Sequence, residues 1–289
     1  MGEGVSEVEL KPTTVATLGT KLVLGPELGR CLSTATGYDR AMLGDDSVTR
    51  IAMWSGPRNL STALLRSWEN RPDSAVIDEP LYPWHLARTG MDHPLREEVL
   101  AVGPTDLADA IDRCLAPQPP GVTVSYQKHM SAHLPPAGVT PTASEGWLDH
   151  LTHGLLLRNP LRMLRSYARK WDEMPLTETG LPQQLELLDR AVVVVDSDDI
   201  LTDPRRYLAA LCDAFEVPFW PEMLSWPAGR RDSDGVWGQV WYDAVIESTT
   251  FGGPPGPAPL IDDLPSGVRP IAEEALEIHA ELAAHRLML

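Results

Sequence analysis

Four stretches of the chain hold residue types whose spacing could do chemistry on an anion. In Met53-Trp54-Ser55-Gly56-Pro57-Arg58-Asn59-Leu60-Ser61-Thr62 an apolar run ends in a Gly-Pro-Arg turn, and two hydroxyls open a helix. Backbone amides of such a turn and of the helix start form a seat for a phosphate-like group. Arg58 adds a planar cation, and Ser61 and Thr62 add oxygen-directed donors. The same pattern also reads as an ordinary helix start capped by Ser61 or Thr62. It is not a Walker A loop, because the Gly-Lys pair is missing. In the second stretch, Leu155-Leu156-Leu157-Arg158-Asn159-Pro160, an apolar strand delivers Arg158 to its carboxyl end, where ligands gather in open α/β sheets. The helix begun by Pro160 carries Ser166 two turns on. Arg and Ser across that corner could hold a second phosphate, although taken alone a surface arginine beside a solvated basic helix face is the plainer reading.

The other two stretches concern a proton. The run Ser74–Asp78 ends in Asp78-Glu79-Pro80, which places Glu79 one residue past a strand and opposite the Gly56–Thr62 loop as a candidate general base, with Asp78 as its rival. In Ser125-Tyr126-Gln127-Lys128-His129-Met130-Ser131-Ala132-His133, a compact ammonium at Lys128 suits a developing oxyanion. Only Lys128 and Lys170 occur after residue 50. His129 and His133 are candidate bases; four apart, they also fit a metal pair on a helix, but no third ligand is spaced nearby. Tyr82, Trp84 and His85 are candidates for an acceptor pocket, though tryptophans at such positions more often pack in a core.

The elements that must position these residues alternate. Short β runs at Arg50–Trp54, Ser74–Asp78, Thr123–Lys128, Thr152–Leu157 and Val192–Asp196 are interleaved with helical stretches at Leu60–Asn70, Thr105–Leu115, Pro160–Lys170, Gln183–Arg190, Asp203–Phe215 and Ile271–Leu287. That order predicts βαβ units around a parallel sheet. Proline-rich stretches at Ala116–Pro120, Pro135–Pro141 and Gly253–Pro259 read as surface loops or lids. Residues 1–49 keep no period and read as a poorly ordered extension to an α/β domain at 50–289.

With 289 residues, 43% hydrophobic and 22% charged, the chain has globular composition. Its 41 acids against 24 bases give a net charge of −17, which disfavours nucleic acid and anionic membranes as partners. No apolar run approaches a membrane span, and the first thirty residues do not read as a signal peptide. Three distant cysteines, Cys31, Cys114 and Cys212, suggest neither a metal knuckle nor a disulfide framework. A soluble cytoplasmic protein acting on a small molecule is expected, with a homodimer left open.

Together the pieces resemble the sulfotransferases that use 3′-phosphoadenosine 5′-phosphosulfate. The stretch from Pro57-Arg58 to Ser61-Thr62 resembles their 5′-phosphosulfate loop, and Arg158-Asn159-Pro160 with Ser166 resembles their 3′-phosphate site at the same eight-residue spacing. Val192 to Val217 resembles their late strand, acidic turn and leucine-rich helix. Arg230-Arg231, with Gly235 and Trp237, resembles the basic loop that closes over the 3′-phosphate. The likeness runs from about Arg50 to Trp241 and is strongest to a bacterial and plant branch, some of whose members are related by name to branched-chain aminotransferases. It implies a three-layer P-loop sulfotransferase-like α/β fold with a central parallel sheet. It also implies a nucleotide cosubstrate released as adenosine 3′,5′-bisphosphate, held by the Gly56–Thr62 loop, Arg158, Ser166, Arg230, Arg231 and Gly235. Arg58 and Lys128 would neutralise the leaving oxygen, and Glu79 would take the acceptor's proton. The cytosolic branch uses a Lys-x-His segment for that proton; here histidines stand one and five after Lys128, which favours Glu79. Leu60 stands where most of the family carry glycine, so the loop backbone is expected to differ there.

Two other classes remain as alternatives. A P-loop kinase or NTPase would use Val192–Val195 and Asp196 as a Walker B strand, and a non-catalytic relative would bind nucleotide without turnover. No metal is expected for sulfuryl transfer, since that group carries less negative charge than a phosphoryl group and catalysis rests on positioning and neutralisation. Turnover and nucleotide binding should therefore survive excess chelator; loss with EDTA and rescue by magnesium would point to the kinase class.

Overall fold

The computed structural model describes residues 47–289, together with Met1; the expected extension at 1–49 and Cys31 lie almost wholly outside the described residues. Five strands form one sheet: β1 Thr49–Ser55, β2 Ser74–Asp78, β3 Val124–Met130, β4 Thr152–Leu157 and β5 Ala191–Asp196. Their order is β2-β3-β1-β4-β5, and every pairing is parallel. The first helices are α1 Ser61–Glu69, α2 Tyr82–Thr89, α3 Arg96–Val102, α4 Leu107–Leu115 and α5 Pro160–Tyr167. They are followed by α6 Leu181–Leu187, α7 Ser197–Thr202, α8 Pro204–Ala214, α9 Gly238–Trp241, α10 Asp243–Ile246 and α11 Ala272–Ala283.

The strands are buried on both faces, as parallel strands must be, and two cores result. On one face Ile51, Met53 and Tyr126 meet Leu64, Leu65 and Trp68 of α1 and Leu208, Leu211 and Phe215 near α8. On the other, Ala52, Trp54 and Leu155 meet α4, α6 and α11 through Ile111, Leu187 and Leu282. This is the expected three-layer arrangement. Gly154 is a glycine for packing reasons: a Cβ there would come within 2.7 Å of Phe215 and 3.0 Å of Met53.

Strand β1 is central, and the chain visits β2 and β3 on one side before crossing to β4 and β5 on the other. A crevice opens at the carboxyl ends of strands where the winding direction reverses. Gln184 of α6 marks the place, donating to the carbonyls of Trp54 (3.1 Å) and Leu156 (3.2 Å) at the ends of β1 and β4.

Several boundaries differ from the sequence expectation. Strand β3 continues through His129 to Met130, so these residues do not follow the strand but belong to it, and a 3-10 turn takes Ser131–His133. Helix α5 ends at Tyr167 rather than Lys170, its last amides folding into Ala168→Leu164 and Lys170→Tyr167 bonds. Helix α11 stops at Ala283, short of Leu287, whose amide instead donates to Val194 of β5 at 2.7 Å. Cys114 and Cys212 are buried and unpaired.

Candidate active site

A cavity of about 280 Å³ opens at the carboxyl edge of the sheet. Of the residues singled out from sequence, Pro57 to Thr62, Glu79, Lys128, His133 and Arg158 line it. The loop after β1 supplies the first six. Gly56 sits just behind them, where a Cβ would lie 2.4 Å from the Thr179 carbonyl, so only glycine lets the loop pass. Asn59 is buried; in the amide orientation that satisfies both ends it donates to Pro57 O (3.0 Å) and accepts from Gly56 N (3.2 Å), closing the turn on itself.

The loop backbone is unusual where function needs it. Among the described residues, five non-glycines have positive φ, and three of them line the cavity: Arg58 (62°), Leu60 (69°) and Glu79 (42°). A left-handed conformation costs a non-glycine residue roughly 1–2 kcal/mol, and such strain collects at functional sites. Leu60 thus adopts the backbone conformation that glycine visits freely, and its side chain recovers part of the cost by packing on the α1 core. Leucine also brings no capping oxygen, so the first amides of α1 stay uncapped at the cavity.

Two guanidiniums stand before that helix start. Arg58 donates through Nε to Ser166 Oγ (3.2 Å) and through a terminal nitrogen to Trp241 O (2.9 Å). Arg158 donates to Arg58 O, and its Nε has no partner. Every one of these acceptors is neutral, and neither arginine makes an ion pair among the described residues. Burial lowers the proton affinity of both; Asp243 opposes this at Arg58 and Asp198 opposes it at Arg158, where Arg162 and Arg58 reinforce it. Ser166 is therefore brought to Arg58 across 108 positions of sequence. In a chain of net charge −17, two half-buried cations without carboxylate partners beside an uncapped helix start form a seat for an anion.

Strand register builds the other half. Asp78 of β2 pairs with Lys128 of β3, and residues in register in parallel strands share a face. The face is that of α1, so Lys128 reaches the crevice at the helix start. Its Nζ donates to Asp78 (2.9 Å), Glu79 (2.5 Å) and the Tyr242 hydroxyl (2.7 Å), with all four side chains buried. Tyr242 in turn donates to Asp78 (2.7 Å) and accepts from the Trp237 indole (3.0 Å), while Gly235 N donates to Asp78 (3.1 Å). Burial opposes a charge on Lys128, but Asp78 and Glu79 outweigh it and hold the ammonium well above the ordinary lysine value. Burial pushes Glu79 up; Lys128 opposes this, and Asp78 reinforces it. One ammonium cannot fully satisfy two buried carboxylates, and Glu79 is the one left ready to take a proton.

The two histidines separate by the same period-two rule. His129, one residue after Lys128, points to the opposite face of the sheet, stacks on Trp54 (4.2 Å between ring centres) and bonds Gln127 (3.1 Å). Its candidacy as base is withdrawn, because it does not line the cavity. His133 does line it, stacked on Tyr82 at 4.9 Å and kept neutral by burial. The late basic loop is only partly as expected. Gly235 and Trp237 reach the Asp78 cluster, but Arg231 bonds Pro227 O and lies 3.8 Å from Glu69, and Arg230 is exposed; neither arginine lines the cavity. Trp84 and His85 are buried behind Tyr82, which alone of that trio faces the cavity. Asp196, the Walker B candidate, caps α7 by accepting from Asp198 N (2.8 Å).

Sequence reasoning missed His93, Tyr167, Glu178, Trp241 and Tyr242, all at the cavity. They come from four separate segments, and no spacing in the sequence connects them.

These features define a three-layer α/β domain with a cavity at the carboxyl end of its central strand. Residues 49–275 match the family model of the sulfotransferase domain, and the chain belongs to that family. Branched-chain-amino-acid aminotransferase-like proteins 1 and 2 of Arabidopsis thaliana are 36% identical over 214 residues and 34% identical over 209, each match covering 71% of this chain. The matches cover 37% and 36% of those proteins, so the chain spans little more than a third of their length. Among solved structures, the sulfotransferase domain from the Synechococcus PCC 7002 olefin synthase is 17% identical with a TM-score of 0.48, covering 84% of this chain and 98% of that one. The sulfotransferase domain from the curacin biosynthetic pathway is 15% identical with a TM-score of 0.43, covering 82% and 96%. Among the described residues no helix is long and apolar enough to cross a membrane.

The buried ion cluster makes a pH-dependent prediction. The Lys128 ammonium stabilises the fold fully below the ordinary lysine value of 10.5 and loses that contribution only as pH rises through its raised value. Glu79, also raised, favours the fold at low pH and loses that advantage as pH rises through its own value. Lys128→Met strands two buried carboxylates, so it should destabilise by about 3–5 kcal/mol in urea denaturation above neutrality and by clearly less near pH 5. An equal loss at both would show that Lys128 does not neutralise this pair.

Proposed function

We propose that the protein transfers a sulfuryl group from 3′-phosphoadenosine 5′-phosphosulfate to a hydroxyl or amine of a small acceptor. The observation that carries this reading is the pair of guanidiniums, Arg58 and Arg158, without ion-pair partners, before the uncapped start of α1 in one cavity with the Glu79–Lys128 pair. The donor set fits a nucleotide with two anionic groups: planar forks and a serine hydroxyl suit phosphate oxygens, and the orphaned Arg158 Nε still lacks an acceptor. When bound, the nucleotide supplies a sulfuryl group whose bond to the 5′-phosphate breaks with the electron pair leaving on the phosphate.

The chain's own residues then divide the work. Amides of the loop and α1 with Arg58 hold the 5′ side, and Arg158 with Ser166 reads the 3′-phosphate. Glu79 accepts the acceptor's proton on its carboxylate, a role suited to an acid whose proton affinity burial has raised. Lys128 keeps that carboxylate in place and offers positive charge beside the site of transfer. Tyr242, its hydroxyl held protonated by burial and by Asp78, fixes the Lys128 ammonium from the other side.

Arg158→Ala should weaken adenosine 3′,5′-bisphosphate by roughly 1.5–3 kcal/mol, and Ser166→Ala by about 1 kcal/mol, while adenosine 5′-monophosphate binding hardly changes. Calorimetry with both nucleotides cancels general damage to the fold; equal weakening would remove the 3′-phosphate assignment. Glu79→Gln should cut turnover ~10²–10⁴-fold with nucleotide affinity nearly intact. If His133→Ala shows that loss and Glu79→Gln does not, the base is the histidine.

A further inference from the structure

One wall of the cavity has a chemistry of its own. Tyr82, His93, Trp241 and Tyr167 form a continuous aromatic wall. His93 stacks on Trp241 at 5.5 Å, Tyr167 stacks on Trp241 at 5.9 Å, and Tyr82 packs edge-on against His93 at 5.7 Å. Glu178 lines the same cavity from the 3-10 turn Leu176–Thr179. Its carboxylate has one titratable neighbour in contact, His85 Nε2 at 3.8 Å. Burial pushes His85 down to about 4, so that imidazole is uncharged at neutral pH. Arg88 acts on Glu178 only from a distance, and no described residue sets a cation in ion-pair contact with it. Burial pushes the carboxyl up, and Arg88 opposes this without reaching ion-pair distance.

Other carboxylates withdrawn from solvent meet a cation at ion-pair distance: buried Asp78 has Lys128, and half-buried Asp234 and Asp73 have Arg66 and Arg71. Half-buried Glu178 has no such contact with a cation among the described residues. Arg58, Lys128 and Arg158 line the same cavity, so it offers cations at the helix start and, beside the aromatic faces, a carboxylate without an ion-pair contact to a cation among the described residues. Glu79, Tyr82 and Glu178 line the same cavity, and both carboxylates add to the upward push of burial on the Tyr82 hydroxyl. A molecule lying across Tyr82 can therefore meet the proposed base with one group and Glu178 with another. Aromatic faces and a carboxylate together recognise an ammonium, and desolvation strengthens both attractions.

We propose that the acceptor is a small hydroxylated amine whose ammonium rests on the aromatic wall and pairs with Glu178, leaving its hydroxyl toward Glu79. This rests on the sulfotransferase reading of the same cavity, which supplies the role of Glu79. Recognition of the amine by Glu178 is a separate claim with a separate readout.

The test is calorimetry on the full chain near neutral pH, with tyramine and its neutral counterpart 4-ethylphenol as probes and adenosine 3′,5′-bisphosphate measured independently. Tyramine should bind about tenfold more tightly than 4-ethylphenol, and Glu178→Gln should abolish that preference while leaving the bisphosphate unchanged. The preference in the unmodified protein is informative even if the variant folds poorly. Equal binding of the two probes, no binding of tyramine, or a preference that survives Glu178→Gln would each overturn the proposal. Failure of the bisphosphate to bind would instead overturn the donor reading and leave the amine preference to be read by itself.

Discussion

One ammonium ties the crevice together. Lys128 bridges the last residue of β2, the residue after it and a tyrosine more than a hundred positions away, drawing Asp78, Glu79 and Tyr242 into one buried cluster. Two carboxylates face one ammonium there, and burial, reinforced by Asp78 and opposed by Lys128, raises the proton affinity of Glu79. The same network fixes the segment that follows Gly235, whose amide and whose Trp237 indole close on Asp78 and Tyr242. The proposed base, its cation and the cavity wall therefore share one set of hydrogen bonds, and none can move alone.

The anion seat is built on the opposite logic. Where the base is crowded with partners, Arg58 and Arg158 are deprived of them: their contacts are neutral oxygens. The loop that presents them stores strain at Arg58 and Leu60, both left-handed without being glycine. That strain persists because the neighbourhood over-determines it: Gly56 lies against Thr179, Asn59 closes the turn, and Leu60 packs on the core of α1.

Much of this was legible in the sequence. Strands at Ser74–Asp78 and Thr152–Leu157 fall where the β runs place them, because buried parallel strands are continuous apolar runs bounded by polar turns. Pro160 opens α5 because a proline costs nothing at a first helical position. Arg158 was expected beside Ser166, but Ser166 bonds Arg58 and Arg158 bonds the Arg58 carbonyl, a partnership across the loop that no spacing in the sequence shows. The reading lost accuracy where a single residue shift decides direction. Placing His129 after the strand rather than in it hid the fact that it must face away from Lys128. Helix α2, a single stretch with proline in its first turn and Gly90 at its end, carries too short a pattern to stand out. The aromatic wall was not legible at all, since Tyr82, His93, Tyr167 and Trp241 meet only in the folded chain.

Family membership gives the domain its class, and the proposed donor makes a claim about which nucleotide the cavity prefers. In that proposal Arg58 and Arg158 each meet one anionic group of a nucleotide phosphorylated at both ends of its ribose. Calorimetry of the unmodified chain with adenosine 3′,5′-bisphosphate, adenosine 5′-phosphosulfate and ATP with magnesium tests this most directly. We expect the bisphosphate to bind most tightly, by about tenfold or more over the other two, corresponding to one extra charge-assisted phosphate contact. Tighter binding of magnesium ATP, or no preference for the 3′-phosphate, would contradict it.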